Sequence, residues 1–573
     1  MWEDLSVPIA ALRPLPHLRR TGDRRSLFYH SRMRRIISLL FFIVCASAAA
    51  IVSAKTDRHL VVVVWDGMRP DFVTEQTTPT LWKLAREGVT FRNHHSAYPS
   101  ATMVNGTVMM TGIYPGKNGI IANHVYRPDI DPHQAIDVEL SPVVKKGDEL
   151  AGGKYIAVPT IAELVQRAGA RSLIAAAKTV GLLLDRNAND VSANNSATLF
   201  AGKALPSTAI DPITEKVGSF PSARLEQDSW TTKALIDVLW KDRIPAFSML
   251  WLGEPDLTEH ETAPGAPAAL AAIKSADENL AKVLVALDER KARGTTDVFV
   301  VSDHGFSTIR RSIDLREILS ESGFAAMTEF NGEPKPGDIM LAGNGGSVLF
   351  YVTGHDATVT RRLVEFLQQS DFAGVIFTKQ PMDGTFVLEQ ANIQNDRAPD
   401  VVMAFRWEPS KNQFGVPGMI DADWQRAAGK GTHATLSRFD MHNMLIAAGP
   451  DFKRGETDDL PSGNVDLAPT ILQILAIKPV QKMDGRVLSE AMTVATPSQK
   501  PETKTIEATK HFKSRTWRQS LQISRVGSTI YLDEGNGTFV ANERRLTNHS
   551  AIAERIASIG ASRLNQIENE SAP

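Results

Sequence analysis

Residues 296–307 read TDVFVVSDHGFS: a run of β-formers that ends at Ser302 and then sets Asp303 beside His304, ahead of a glycine. In an extended strand, adjacent side chains point to opposite faces. Asp303 and His304 therefore serve one site only if they lie past the strand end, where Gly305 lets the backbone turn. Open parallel sheets place their sites at that carboxyl edge. Taken alone, the pair also reads as a helix N-cap aspartate next to a surface histidine, so the rest of the chain must decide.

Outward from this stretch the same rhythm recurs. HLVVVVWDG is a continuous β-branched run suited to a strand buried on both faces. TTPTLWKLAREGV reads as a helix with Thr78 as N-cap and Pro79 in the first turn. TIAELVQRAGARSLIAAAKT is helix, glycine turn, strand, and IPAFSMLWLG is another apolar strand. In the segment from 269 to 294, Leu270, Ile273, Leu280, Val283, Leu284 and Leu287 share one helical face. Strand and helix alternating in this way predict a doubly wound α/β core built on a mostly parallel sheet flanked by helices. Between about 310 and 430 the rhythm loosens, as expected of an inserted or capping region with its own strands. It resumes at PDVVMAFRW, MHNMLIAAGPDF and the helix VDLAPTILQILA. Residues 495–507 are polar and contain proline, the composition of a linker. Beyond them, STIYLDEG and GTFVANERR predict a small β-rich C-terminal appendage and then a helix.

The composition excludes several classes. With 43% hydrophobic and 22% charged residues, the chain of 573 residues is ordinary for a globular protein. A net charge of −2 gives no reason to expect a nucleic-acid groove. Arg32, Arg34 and Arg35 precede an apolar run at 36–44 and then small residues through Ala54, the order of an export signal over residues 1–54, with Met33 as an alternative start. An uncleaved anchor is the other reading, although the strongly apolar run is short for a span of about 20 residues. After cleavage, the expectation is a periplasmic or secreted protein with no membrane span. Cys45, the only cysteine, falls inside this segment, so the mature chain would have no disulfide or thiolate site.

The acids and histidines after strand-like runs form a set. Asp66 ends VVVVWDG, Asp256 and His260 lie just past FSMLWL, Asp303 and His304 end VFVV, and His433 lies in GKGTHAT. Each has an innocent reading as a turn residue, an exposed helical pair or a loop histidine. Together they supply the oxygen and nitrogen ligands of two divalent ions, most simply zinc. Two ions about 3.5–4 Å apart stabilise both the attacking and the leaving oxygen of a phosphoryl displacement. Thr102 opens the apolar stretch 103–110, a potential helix whose first turn would offer free N–H groups and a positive dipole end to its hydroxyl. It reads either as a nucleophile or as a helix N-cap.

The blocks VVWDGMRPDF, YPSATMVNGTVMMTGIYPGKNGI, EPDLTEH, SDHG and GTHAT occur in the order found in the nucleotide pyrophosphatase/phosphodiesterase family of the alkaline phosphatase superfamily, which the sequence resembles over roughly residues 58–490. The resemblance implies an alkaline-phosphatase-like catalytic domain over 55–494. It implies that Thr102 is the nucleophile and forms a phospho-threonine. Asp66, Asp303 and His304 would bind one zinc, which also holds Thr102, and Asp256, His260 and His433 the other. Asn123 would donate its amide to a non-bridging phosphoryl oxygen. Two features depart from the family: Met103 stands where nucleotide-cleaving relatives often carry an aromatic residue, and Val104, Asn105 and Gly106 stand where PNH is common. Trp251 is a candidate stacking face, but a tryptophan in an apolar strand more often belongs to the core. The expected substrate is a small phosphodiester or pyrophosphate, nucleotides among them. A phosphomonoesterase or phosphonate hydrolase on the same scaffold, and a non-catalytic envelope binding protein, are the alternatives.

Overall fold

The computed structural model describes residues 58–187, 195–494 and 500–541. The export signal expected in residues 1–54 and the helix expected at the end of the tail lie outside the described residues. No helix among those described is long and apolar enough to cross a membrane.

Four parallel strands carry the core: β1 (His59–Trp65), β2 (Ser172–Ala176), β3 (Phe247–Leu252) and β4 (Thr296–Val301). In the sheet they run β4-β1-β3-β2, with Val63 paired to Val300 on one side and to Leu250 on the other. β5 (Leu445–Ala448) pairs antiparallel on the free side of β4, and the sheet continues to nine strands. The unbroken Val60s run is explained by burial: Leu60 to Trp65 are all fully inaccessible, with helices on both faces.

The helices follow their patterns. α1 (Pro79–Glu87) starts on a proline as predicted. Thr78 makes no side-chain cap, however. Its hydroxyl donates back to the Thr74 carbonyl, and the N–H groups of Thr80 and Leu81 donate instead to the Asp277 carboxylate at 3.0 and 2.8 Å. A carboxylate satisfies two orphan donors and complements the dipole, so it outcompetes a threonine hydroxyl. α2 (Thr102–Thr111) is buried along its whole length. α3 (Asp256–Thr262) follows β3 directly. In α4 (Pro267–Glu289), Ile273, Leu280, Val283 and Leu287 are fully buried and Leu270 and Leu284 partly so.

Residues 307–432 build a four-stranded and a six-stranded sheet beside the main one. The C-terminal segment is a three-stranded antiparallel meander, Glu502–His511, Arg515–Val526 and Thr529–Ala541. Its first strand begins inside the stretch read as a linker, because the polar residues of ETKTIEATKH alternate with Ile506 and Ala508, which pack on the core. The meander is fastened to the six-stranded sheet. The side-chain amide of Gln519 accepts from the Ile376 N–H at 2.8 Å and donates to its carbonyl at 3.1 Å, as a neighbouring strand would. The Tyr531 hydroxyl donates to Asp466 at 2.7 Å, and Trp407 Nε1 donates to the Gly535 carbonyl at 2.8 Å.

Candidate active site

Three parallel strands end at one place. Asp66 follows β1, Asp256 opens α3 after β3, and Asp303 and His304 follow β4. Short backbone links hold these ends together. The Asp256 N–H donates to the Asp66 carbonyl at 3.0 Å, and the Gly67 N–H donates to Asp303 Oδ1 at 3.0 Å. Gly67 has φ +76°, and a Cβ there would press against Asp256, so this turn needs glycine on both counts. Gly305 is different from the expectation. Its φ is not positive; a Cβ at this position would collide with the carbonyl oxygen of Phe439, so glycine is there for close approach rather than for the turn.

All seven predicted metal-site residues converge. Ligand atoms of Asp256, His260 and His433 lie within 4.8 Å of one another, as do those of Asp66, Asp256 and His304. Asp303 Oδ2 is 3.2 Å from His304 Nε2, and Thr102 Oγ1 is 3.3 Å from the same nitrogen. The His304 and His433 rings stack with centroids 3.7 Å apart. Asp256 thus touches both groups, whereas the sequence reading divided them into two separate triplets.

The donor chemistry fits a pair of divalent ions. Asp66 Oδ1, Asp256 Oδ1 and Asp303 Oδ2 are buried carboxylate oxygens with no hydrogen-bond donor. Such atoms are expensive to bury unless a cation covers them. Each histidine donates its Nδ1–H to a backbone carbonyl: His260 to Gly431 at 3.0 Å, His304 to Gly305 at 2.9 Å and His433 to Ser100 at 2.8 Å. That fixes the tautomer and turns the Nε2 lone pair inward, the arrangement of a metal-ligating imidazole. Burial lowers the pKa of His260, and burial reinforced by His304 takes that of His433 well below the ordinary value, so both rings favour the neutral form. Burial, then the charge of Asp303, pushes the Asp66 carboxyl well above its usual range. Burial acts the same way on Asp256, but Lys178 and then His260 outweigh it and hold that carboxyl well below.

Thr102 is the first residue of α2, and Ala101 ahead of it is extended, so the hydroxyl sits at the helix start as predicted. Asn123 Oδ1 accepts from the Met103 N–H at 2.9 Å. The oxygen of the amide is therefore spoken for, and the Nδ2 amino group is the end left to act as a donor. Met103 is buried and offers no stacking surface. Asn105 accepts from the Ala97 N–H at 2.7 Å and donates to the Ala97 and Ala101 carbonyls, bracing the loop that leads into Thr102. Gly106 lets the helix approach Trp251, which a Cβ would meet at 3.2 Å.

Two side chains take roles that the sequence did not indicate: Trp251, which lies in the core as a tryptophan in an apolar strand usually does, and Lys178. Trp251 is fully buried, not a stacking face, and its Nε1 donates to Asp66 Oδ2 at 2.8 Å. Lys178 follows β2 and places Nζ 2.9 Å from Asp66 Oδ2 and 2.8 Å from Asp256 Oδ2. It stands at the same carboxyl edge as the acids, which is the signal that would have found it. Beside the cluster opens a cavity of about 440 Å³ lined by Asn123, His260, His433, Glu139, Trp424 and Arg426, among others.

The sequence profile of the type I phosphodiesterase / nucleotide pyrophosphatase family matches residues 60–410. Among curated proteins, the chain is 23% identical over 451 residues to ectonucleotide pyrophosphatase/phosphodiesterase family member 3 of Mus musculus, covering 76% of this chain and 44% of that protein. It is 24% identical over 462 residues to a venom phosphodiesterase of Naja atra, covering 76% and 46%. The chain thus spans less than half the length of either. Among solved structures, murine ectonucleotide pyrophosphatase / phosphodiesterase 5 superposes with a TM-score of 0.54 at 18% identity, over 76% of this chain and all of that one. An inactive form of the same murine protein in complex with AMP gives 0.53 at 19% identity, over 74% of this chain and 96% of that one. With its profile match covering more than half its length and an alkaline-phosphatase-like fold beneath it, the chain belongs to the type I phosphodiesterase / nucleotide pyrophosphatase family.

Proposed function

We propose that this protein hydrolyses phosphodiester or pyrophosphate bonds through a covalent phospho-threonine at Thr102, beside two divalent ions held by Asp66, Asp256, His260, Asp303, His304 and His433. The observation that carries the reading is the set of three donorless buried carboxylate oxygens facing three inward Nε2 lone pairs, with the Thr102 hydroxyl 3.3 Å from one of them. Ions bound there, most simply zinc, would supply positive charge to the attacking, leaving and non-bridging oxygens.

The chain's own residues do the rest. Thr102 Oγ attacks phosphorus as its proton passes to solvent, and the new O–P bond forms as the bond to the leaving oxygen breaks, that oxygen taking up a proton from solvent to leave as alcohol or phosphate. Water later attacks the same phosphorus, losing a proton to solvent as the Thr102 O–P bond breaks and Thr102 regains its own. Asn123 Nδ2 donates to a non-bridging oxygen, a neutral donor suited to a substrate that already carries one negative charge. Phe306, fully buried with its ring centroid 4.9 Å from that of His260, keeps water from one side of the cluster. The adjoining cavity accommodates the second ester substituent. Nucleotides are one candidate class, supported by the AMP complex of the murine relative. We further propose that the protein works outside the cytoplasm, in line with the basic, apolar and small segments of residues 1–54.

Thr102→Ala tests this. It should abolish hydrolysis of bis-p-nitrophenyl phosphate, by about 10³-fold or more, while the purified protein still holds about two metal ions per chain by elemental analysis. Full turnover in that variant would refute the assignment of the nucleophile.

A further inference from the structure

Lys178 touches both halves of the cluster. Its ammonium lies 2.9 Å from Asp66 Oδ2 and 2.8 Å from Asp256 Oδ2, while the other oxygen of each carboxylate has no donor. The side chain is 15% exposed and the two acids 0% and 2%, so little water screens the contacts. Its stem is held as well. A Cβ on Gly253 would meet Lys178 Cγ at 3.3 Å, and the Ala177 N–H donates to the carbonyl of Trp251, the residue whose indole binds Asp66.

We propose that Lys178 is a positioning residue that acts as the resident counter-ion of this centre. It clamps the outer oxygens of Asp66 and Asp256, leaves each acid only its inner oxygen to offer a metal, and takes the place of metal charge while the site is empty. The inference rests on the two-ion reading of the site. Its physical basis is an imbalance of charge. Three carboxylates converge in a dry pocket, two of them repelling across a few ångströms, and Lys178 is the cation in contact with both. When divalent ions arrive, they neutralise the same acids and Lys178 becomes a repulsive neighbour to them. The lysine thus stabilises the empty site more than the filled one, and by linkage it weakens metal binding while fixing where the ligands stand.

The test compares Lys178→Met with the wild type, each stripped with chelator and each reloaded with zinc. The metal-free variant should melt about 3–5 °C below metal-free wild type, while the zinc-loaded pair should agree within about 1 °C. Zinc affinity, read by competition with a chromophoric chelator, should rise about tenfold or more in the variant. Equal losses in the metal-free and loaded forms, or no loss in either, would overturn the proposal, since a lysine that only fills space cannot tell the two apart. Should the single variant not fold, K178M/D66N removes one negative charge along with the positive one. A metal-free double variant that folds and melts close to wild type supports the counter-ion role, and one that does not overturns it. A wild type that takes up no zinc at all defeats the two-ion reading itself, an outcome distinct from an unchanged K178M in a protein that does.

Discussion

Asn123→Asp separates two roles that one amide combines. In the structure Asn123 Oδ1 accepts the Met103 N–H at 2.9 Å, so the side chain both anchors the first turn of α2 and aims Nδ2 elsewhere. Aspartate keeps an acceptor for Met103 and replaces the amino group with a second oxygen. If the amide serves only to anchor the helix, the variant should work as well as the wild type, or better, since an anion suits a helix start. If Nδ2 donates to a phosphoryl oxygen, the variant loses that donor and faces the substrate with like charge. Loss of one such donor reduces turnover by about 10²–10³, or roughly 3–4 kcal/mol of transition-state stabilisation. We expect N123D to fall at least that far in kcat on bis-p-nitrophenyl phosphate and to melt within about 1 °C of the wild type. Asn123→Ala, which also gives up the Met103 contact, should lose both activity and some thermal stability. An N123D enzyme with near-normal turnover, next to a crippled N123A, would show the donor argument to be wrong.

Other outcomes follow from groups outside the cluster. His94 is fully buried between Ser462 Oγ and Asn464 Oδ1, and burial, opposed by the Asn464 contact, brings its pKa down to about 3. A base whose folded pKa is depressed binds fewer protons folded than unfolded, so stability is lost as pH falls below the unfolded value of 6.5. Between about pH 7 and pH 5 this amounts to about 2 kcal/mol, or about 2 °C in a chain of this size. His94→Gln should flatten the acid side of the melting-temperature profile by that amount, and an unchanged acid limb would contradict it. Tyr531→Phe removes the donor to Asp466, a fully buried carboxyl that burial pushes up to about 6. It should lower the melting temperature by about 1–3 °C, and no change would mean that the meander is held without this contact.

Much of the fold and of the site was legible because both follow from where apolar runs stop. Leu60 to Trp65, Phe247 to Leu252 and Thr296 to Val301 are buried on both faces, so their sequences are mostly apolar, with Ser248, Thr296 and Asp297 as the exceptions. An acid just beyond then stands out: Asp66 directly after its strand, Asp303 two residues on and Asp256 four residues on. Lys178 sits at the same kind of boundary yet was passed over, because a lysine after a strand ordinarily reads as a solvated end. Only the fold reveals that Asp66 and Asp256 lie within 3 Å of it. Asp277 was invisible as the cap of α1 for the same reason: it comes from a helix nearly two hundred residues away. Asn105 and Gly106 looked like departures from the family pattern, but their surroundings explain them, one as a brace for the Thr102 loop and the other as room for Trp251. The strand beginning at Glu502 reads as a linker in the sequence because six of its ten residues are exposed and its composition is polar.

The Gln519 amide that mimics a neighbouring strand for Ile376 sets a constraint on biogenesis. Its partner precedes it by 143 residues, so during synthesis the part of the strand Ala373–Thr378 that its two-residue neighbour Phe386–Val387 leaves unpaired emerges from the ribosome long before the segment that covers it. A nascent chain therefore carries an unprotected β-edge, a template for mispairing. A holdase that shields such edges, or delayed folding until the meander is available, removes that hazard.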